Sequence, residues 1–203
     1  MAIVPQLNSI ISAVDRIHVR LAYAGGAFEL RPFFETYPGF LLRGVGGTGL
    51  PRGVAAAMSR TGGCVRIVYD KTRTRGRQRF AIAHEIGHAL LHAKHLEGCE
   101  LRGTSFDDEA IAERQANLFA AELLMPVWAL DRALPDSLRH GRAPKAAPPV
   151  LVRKLATHFD VSSTAMRIQL ETYLSIRGTQ AGRATYRPTA GFPGAELASA
   201  EMS

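Results

Sequence analysis

Two histidines stand four residues apart with a glutamate beside the first: His84, Glu85 and His88, in the order His-Glu-x-x-His. On an α-helix, residues i and i+4 share a face, so both imidazoles can bind one ion from successive turns. Zinc held by three protein groups keeps a position open for water, brings the pKa of that water to about 7, and polarises a carbonyl. A carboxylate next to such a site takes the proton from the water and returns it to a leaving amine, which makes Glu85 the candidate general base. The chemistry this pattern points to is amide hydrolysis.

A third ligand is needed. The extension that would supply a third histidine from the same helix requires Gly at 91 and His at 94, where this chain has Leu91 and Lys94. A carboxylate from a second helix is the alternative, and Glu113 is the favoured one. It shares a face with Phe106, Ala110, Ala116, Ala120, Ala121, Leu124 and Asn117, and a carboxylate on an apolar stripe needs a partner. Asn117, one turn on, could orient a ligand through a hydrogen bond. Glu109 stays open as a rival, about 40° away around the helix and one turn nearer its start. Glu122 points to the opposite side, and Glu97 and Glu100 lie in a glycine-flanked connection. His92 is one turn, roughly 6 Å, beyond His88, which suits an outer or packing role better than direct ligation. His18, His95, His140 and His158 have no motif around them.

These side chains need elements to hold them. Spacing predicts a helix from about Gln78 to Lys94, with Phe80, Ala83, Ile86, Gly87, Leu90 and Leu91 on one apolar arc and the histidines at its border. A second helix is predicted from about Ser105 to Leu124, closed by Met125-Pro126, with Ser105 and Asp108 as a variant capping box. Upstream, Leu7, Ile10, Ile11, Val14 and Ile17 mark an amphipathic helix from Ile3 to about Leu21. Residues 25–53 read as short strands or loops, and Val65 to Tyr69 as a strand. Four prolines between Pro135 and Pro149 read as an exposed linker, Val150 to Ile176 as helical, and Gly178 to Ser203 as a flexible tail. The expected organisation is a metal-binding domain over 1–134, a linker over 135–149, a helical segment over 150–177 and a tail over 178–203.

The 203 residues, 46% hydrophobic and 21% charged, have the balance of a folded globular chain and exclude wholesale disorder. The net charge of +7 favours acidic partners without naming one. Much of the excess lies in Arg60, Arg66, Lys71, Arg73, Arg75, Arg77 and Arg79, which read as a solvated basic loop. Cys64 and Cys99 make no disulfide framework or CxxC pair. No secretory leader is legible at the start and no apolar run approaches the ~20 residues that span a bilayer, so residence in the cytoplasm, away from membranes, is expected.

Two stretches carry a resemblance. The run Arg77-Gln78-Arg79-Phe80-Ala81-Ile82-Ala83-His84-Glu85-Ile86-Gly87-His88-Ala89-Leu90-Leu91-His92, followed by Glu113-Arg114-Gln115-Ala116-Asn117-Leu118-Phe119-Ala120-Ala121-Glu122-Leu123-Leu124-Met125-Pro126, resembles the ImmA/IrrE family of zinc metallopeptidases. The likeness covers about Val65 to Ile176, and Ala81 departs from it where the family often has Thr. It implies an α+β, zincin-like fold of gluzincin type, with a small sheet and a helix-turn-helix-like segment after it. It implies His84, His88 and Glu113 as ligands to one Zn2+, for which Mn2+ is an alternative, and Glu85 as the catalytic residue. It further implies an endopeptidase that cuts helix-turn-helix repressors of stress, DNA-damage or mobile-element genes.

The stretch Leu155 to Leu170 resembles the C-terminal part of the same family and allows two readings. As a DNA reader it would insert Ser163 to Arg167 into a groove, helped by Arg153 and Lys154. As a packing unit it would bury Leu155, Phe159, Val161, Met166 and Leu170. Packing is favoured, because the second helix carries few basic residues. Two further alternatives are a non-proteolytic regulator with a structural zinc and a toxin–antitoxin component. An intact Glu85 speaks against the first, since a structural site needs no base.

Overall fold

The computed structural model describes residues 3–46, 48–92, 106–139 and 146–178. Expectations for Lys94, His95, Glu97, Cys99, Glu100, Ser105, His140 and the tail beyond Gly178 lie outside the described residues, as do the side chains of Leu7, Phe106, Asp108 and Glu109. The described elements are α1 (Ile3–Arg20), α2 (Leu30–Thr36), β1 (Phe40–Val45), β2 (Ala56–Thr61), β3 (Cys64–Asp70), α3 (Arg75–Leu91), α4 (Phe106–Leu124), α5 (Val127–Ala133), α6 (Asp136–Arg139), α7 (Pro149–Phe159) and α8 (Ser163–Gly178). The fold is mostly helical with one small sheet, compatible with an α+β class.

The chain forms two compact units. The first holds residues up to Asp15 together with Glu29–Leu124. Its sheet has the order β1-β3-β2, with β1 parallel and β2 antiparallel to β3. Thr61 pairs with Cys64 across Gly62 and Gly63, whose φ angles of 57° and 80° suit the two-residue turn that matches strand twist. Val65 and Ile67, alternate residues of β3, are buried.

Residues 25–53, read as strands or loops, also contain α2. It is short and has no helical period to see, but Leu30 and Phe33 are buried, and Phe33 packs edge-on against Phe40 of β1 at 5.2 Å between ring centres. Pro32 falls in its first turn, where the missing N–H costs nothing.

From β3 the chain enters α3 through a turn tied by Asp70. One carboxylate oxygen accepts from the Thr72 amide at 2.9 Å and its hydroxyl at 2.6 Å; the other accepts from Arg73 Nε at 3.0 Å. Gln78, in the first turn of α3, donates back to the carbonyls of Lys71 and Arg73. The supposed basic loop is therefore partly structural: Arg73 ties this turn, Arg60 donates to the Ala89 carbonyl of α3, and Arg79 is buried.

Helix α3 packs on β2, β3 and α4. Its buried residues are Arg79, Ile82, Ala83, Ile86, Gly87 and Ala89, whereas Leu90, expected in the apolar arc, is 41% exposed. A Cβ on Gly87 would lie 3.1 Å from Phe119 Cβ and 3.2 Å from the Cα of Ala116. A Cβ there would require its neighbours to give way slightly, so glycine eases the close approach of the two helix backbones, and Ala83, Ala116 and Ala120 are small and buried.

The second unit comprises Arg16–Phe28 and the described residues from Met125 on. The stretch read as helical from Val150 consists of two helices, α7 and α8. Asp160, in the left-handed conformation, ends α7, and the Val161 amide returns to the Ala156 carbonyl. Ser162 Oγ then accepts from the Ala165 amide and caps α8. Leu155, Phe159, Val161, Met166 and Leu170 are all buried, and Gln169 donates to the Met125 carbonyl. His18 is buried among Tyr23, Phe28 and Trp128.

Candidate metal centre

Because Gly87 lets α3 and α4 approach, side chains flanking that contact meet. His84 and His88 from α3 and Glu113 from α4 bring one ligand atom each to within 4.8 Å of one another. His84 Nε2 lies 3.3 Å from one carboxylate oxygen of Glu113, and His88 Nε2 lies 3.0 Å from the other. The two Nε2 atoms are 3.0 Å apart. Four ligands arranged tetrahedrally about zinc at 2.0–2.1 Å stand roughly 3.3 Å from each other, so the three separations fit a single ion. Two imidazole lone pairs aimed at one point repel, and a cation between them resolves that repulsion. The donor set, two nitrogens and one carboxylate, suits zinc and admits manganese.

The surroundings favour the metal-ready forms. His84 Nδ1 lies 3.0 Å from Asn117 Oδ1, an acceptor that places the ring proton on Nδ1 and leaves Nε2 bare. Burial first, and then the neighbouring His84, push His88 well below the usual imidazole range, so it is neutral at physiological pH. His92, at the end of α3, has Nδ1 3.2 Å from His88 Nδ1 and Nε2 2.8 Å from Gln115 Oε1. It stands behind His88, away from the point where the Nε2 atoms converge.

Glu85 is half-buried beside the first histidine. Burial, with a smaller contribution from the negative Glu113, raises its carboxyl to about 7. A cation in the site acts in the opposite sense.

Glu113 was expected on an apolar stripe as a buried carboxylate, yet its side chain is 53% exposed and Ala110 is exposed beside it. The solvent-facing side of α4 carries it, and what gives it a partner is the pair of histidines. Exposure on that side, against 16% and 17% for the histidine side chains, leaves the centre open to solvent. Gln115 was passed over in the sequence; the signal for it was its position between Glu113 and Asn117 on the same helix.

A mostly helical chain with a convergent His-His-Glu group and an adjoining carboxyl belongs to the class of proteins able to hold a metal ion at an open site. The family model of the IrrE N-terminal-like domain, a peptidase family, matches residues 59–171, from β2 into α8. The chain belongs to this family. A solved structure described as a Mycobacterium tuberculosis transcriptional regulator is similar at 17% identity with a TM-score of 0.53, over 78% of this chain and 45% of that one. The chain thus spans less than half the length of that structure, and the likeness is one of fold. No curated protein matches the chain. Among the described residues no helix is long and apolar enough to cross a membrane.

Proposed function

We propose that this chain is a metal-dependent endopeptidase of zincin type that cleaves a helix-turn-helix transcriptional repressor. The observation that carries the reading is the meeting of His84 Nε2, His88 Nε2 and the Glu113 carboxylate beside a half-buried Glu85. His84, His88 and Glu113 would hold zinc, which when bound would supply Lewis acidity for a water molecule and the scissile carbonyl. Glu85 takes a proton from the water as its oxygen bonds to the carbonyl carbon. The same carboxyl then delivers that proton to the nitrogen as the C–N bond breaks, giving a free acid and a free amine. A carboxyl raised towards neutrality is suited to both transfers. Asn117 keeps the His84 ring turned for ligation.

Membership of a peptidase family supports hydrolysis, and the family resemblance of both helices supports a repressor as substrate. The α7–α8 pair serves packing in this reading. Leu155, Phe159, Met166 and Leu170 are buried, although Val150 and Ile168 are exposed, and Arg167 is paired with Glu171 at 3.2 Å rather than held free for phosphate. The name of the solved neighbour keeps a non-proteolytic regulator as the alternative.

Purified protein mixed with the helix-turn-helix repressor encoded beside its gene tests this. The expected result is discrete repressor fragments, lost with a chelator and restored by zinc. An intact repressor with the zinc-loaded protein, together with a salt-dependent DNA shift, favours the regulator instead.

A further inference from the structure

We propose that Gln115 and His92 form a hydrogen-bonded relay that decides which nitrogen of His88 carries its proton, and so keeps Nε2 of His88 bare for a metal. The inference rests on the metal-centre reading above and adds two positioning residues to it.

A neutral imidazole has one N–H and one lone pair. The Nδ1 atoms of His88 and His92 are 3.2 Å apart, a hydrogen bond only when one carries a proton and the other does not. The other nitrogen of His92 settles which. Its Nε2 lies 2.8 Å from Gln115 Oε1, which can only accept, so the His92 proton sits on Nε2. His92 Nδ1 is then the acceptor, the proton of His88 sits on Nδ1, and His88 Nε2 presents a lone pair to the site it shares with His84 Nε2 and Glu113. The two ligand histidines are thus oriented differently: His84 by a single amide oxygen, His88 through an intervening imidazole.

The relay can run backwards. A half-turn of the Gln115 amide would offer N–H to His92 Nε2, move the His92 proton to Nδ1 and that of His88 to Nε2. There it would donate to the Glu113 carboxylate, 3.0 Å away, in place of a metal. The acceptor end of residue 115 therefore selects the metal-ready state. Glutamate there has only acceptors and fixes that state; leucine has neither function and releases it.

The test uses the full chain, zinc-free, at about pH 8, where an ordinary imidazole is neutral. Nitrogen–proton correlation NMR reads the tautomers, and competition with a chelator reads zinc affinity. Wild type and Gln115→Glu are expected to show His92 protonated on Nε2 and His88 on Nδ1. Gln115→Leu is expected to lose that preference and bind zinc roughly 10- to 100-fold more weakly, with Gln115→Glu at least as tight as wild type. His88 protonated on Nε2 in wild type overturns the relay, as does a Gln115→Leu protein that binds zinc like wild type. The tautomers are read without metal, so they judge the relay even if the wild-type chain were to bind no zinc, an outcome that would instead defeat the metal-centre reading.

Discussion

Asp70 and Glu85 are acidic groups that the fold shifts in opposite directions, and each shift has a use. Hydrogen bonds from Thr72, and then Arg73, hold Asp70 below the ordinary carboxylate range. A group whose folded pKa is depressed contributes stability that is present above its unfolded value of about 3.9 and lost as pH falls through the folded value. Acid titration of Asp70→Asn should therefore show a lower melting midpoint than wild type at neutral pH, with the gap narrowing in acid below the ordinary carboxylate range. A gap that stays constant with pH would show that Asp70 acts by shape alone. At the metal centre the ranking of side chains is equally testable. Glu113→Ala removes a donor atom and should weaken zinc binding more than Asn117→Ala, which loosens one ring and costs about 10- to 100-fold. Chelator competition giving the reverse order would take Glu113 out of the ligand set.

At the scale of elements, the centre depends on how closely α3 and α4 lie. Gly87→Val would drive two methyl groups into Phe119 and the Ala116 backbone, already only 3.1 and 3.2 Å from where a first Cβ would stand. Overpacking of this kind costs about 1–3 kcal/mol, and separating the helices should also weaken zinc binding. Denaturant unfolding and chelator competition check both, and a variant as stable and as metal-avid as wild type would mean the close approach is not needed. Helices α3 and α4 were legible because their sequences are long and periodic. The seven-residue α2 and four-residue α6 were not, since so few residues show no period; Phe33 of α2 packs against a distant neighbour, Phe40, and α6 buries none of its residues. Periodicity placed His84, Glu85 and His88 on one helix but misjudged exposure. Leu90 and Glu113 both face outward, because which side of a helix is covered depends on partners that the helix's own sequence does not contain. Gln115 stands between Glu113 and Asn117 in the sequence, but its contact with His92 comes from the other helix and is seen only in the fold.

For the molecule as a whole, the stretch matched by the IrrE N-terminal-like family, residues 59–171, begins in the sheet, takes in the metal centre and ends in α8. The charge of +7 and the two-helix segment left a nucleic-acid role open in the sequence; the burial of Met166 and Leu170 with the pairing of Arg167 fits a packing role for that segment, and the function proposed for the chain is proteolysis. That claim stands or falls with Glu85, the group that hydrolysis needs and metal binding does not. The direct measurement is repressor cleavage by wild type and Glu85→Gln at equal, measured zinc content. The account predicts one zinc per chain in both and cleavage slowed by roughly 10²- to 10⁴-fold in the variant. Equal cleavage by the two proteins would contradict it.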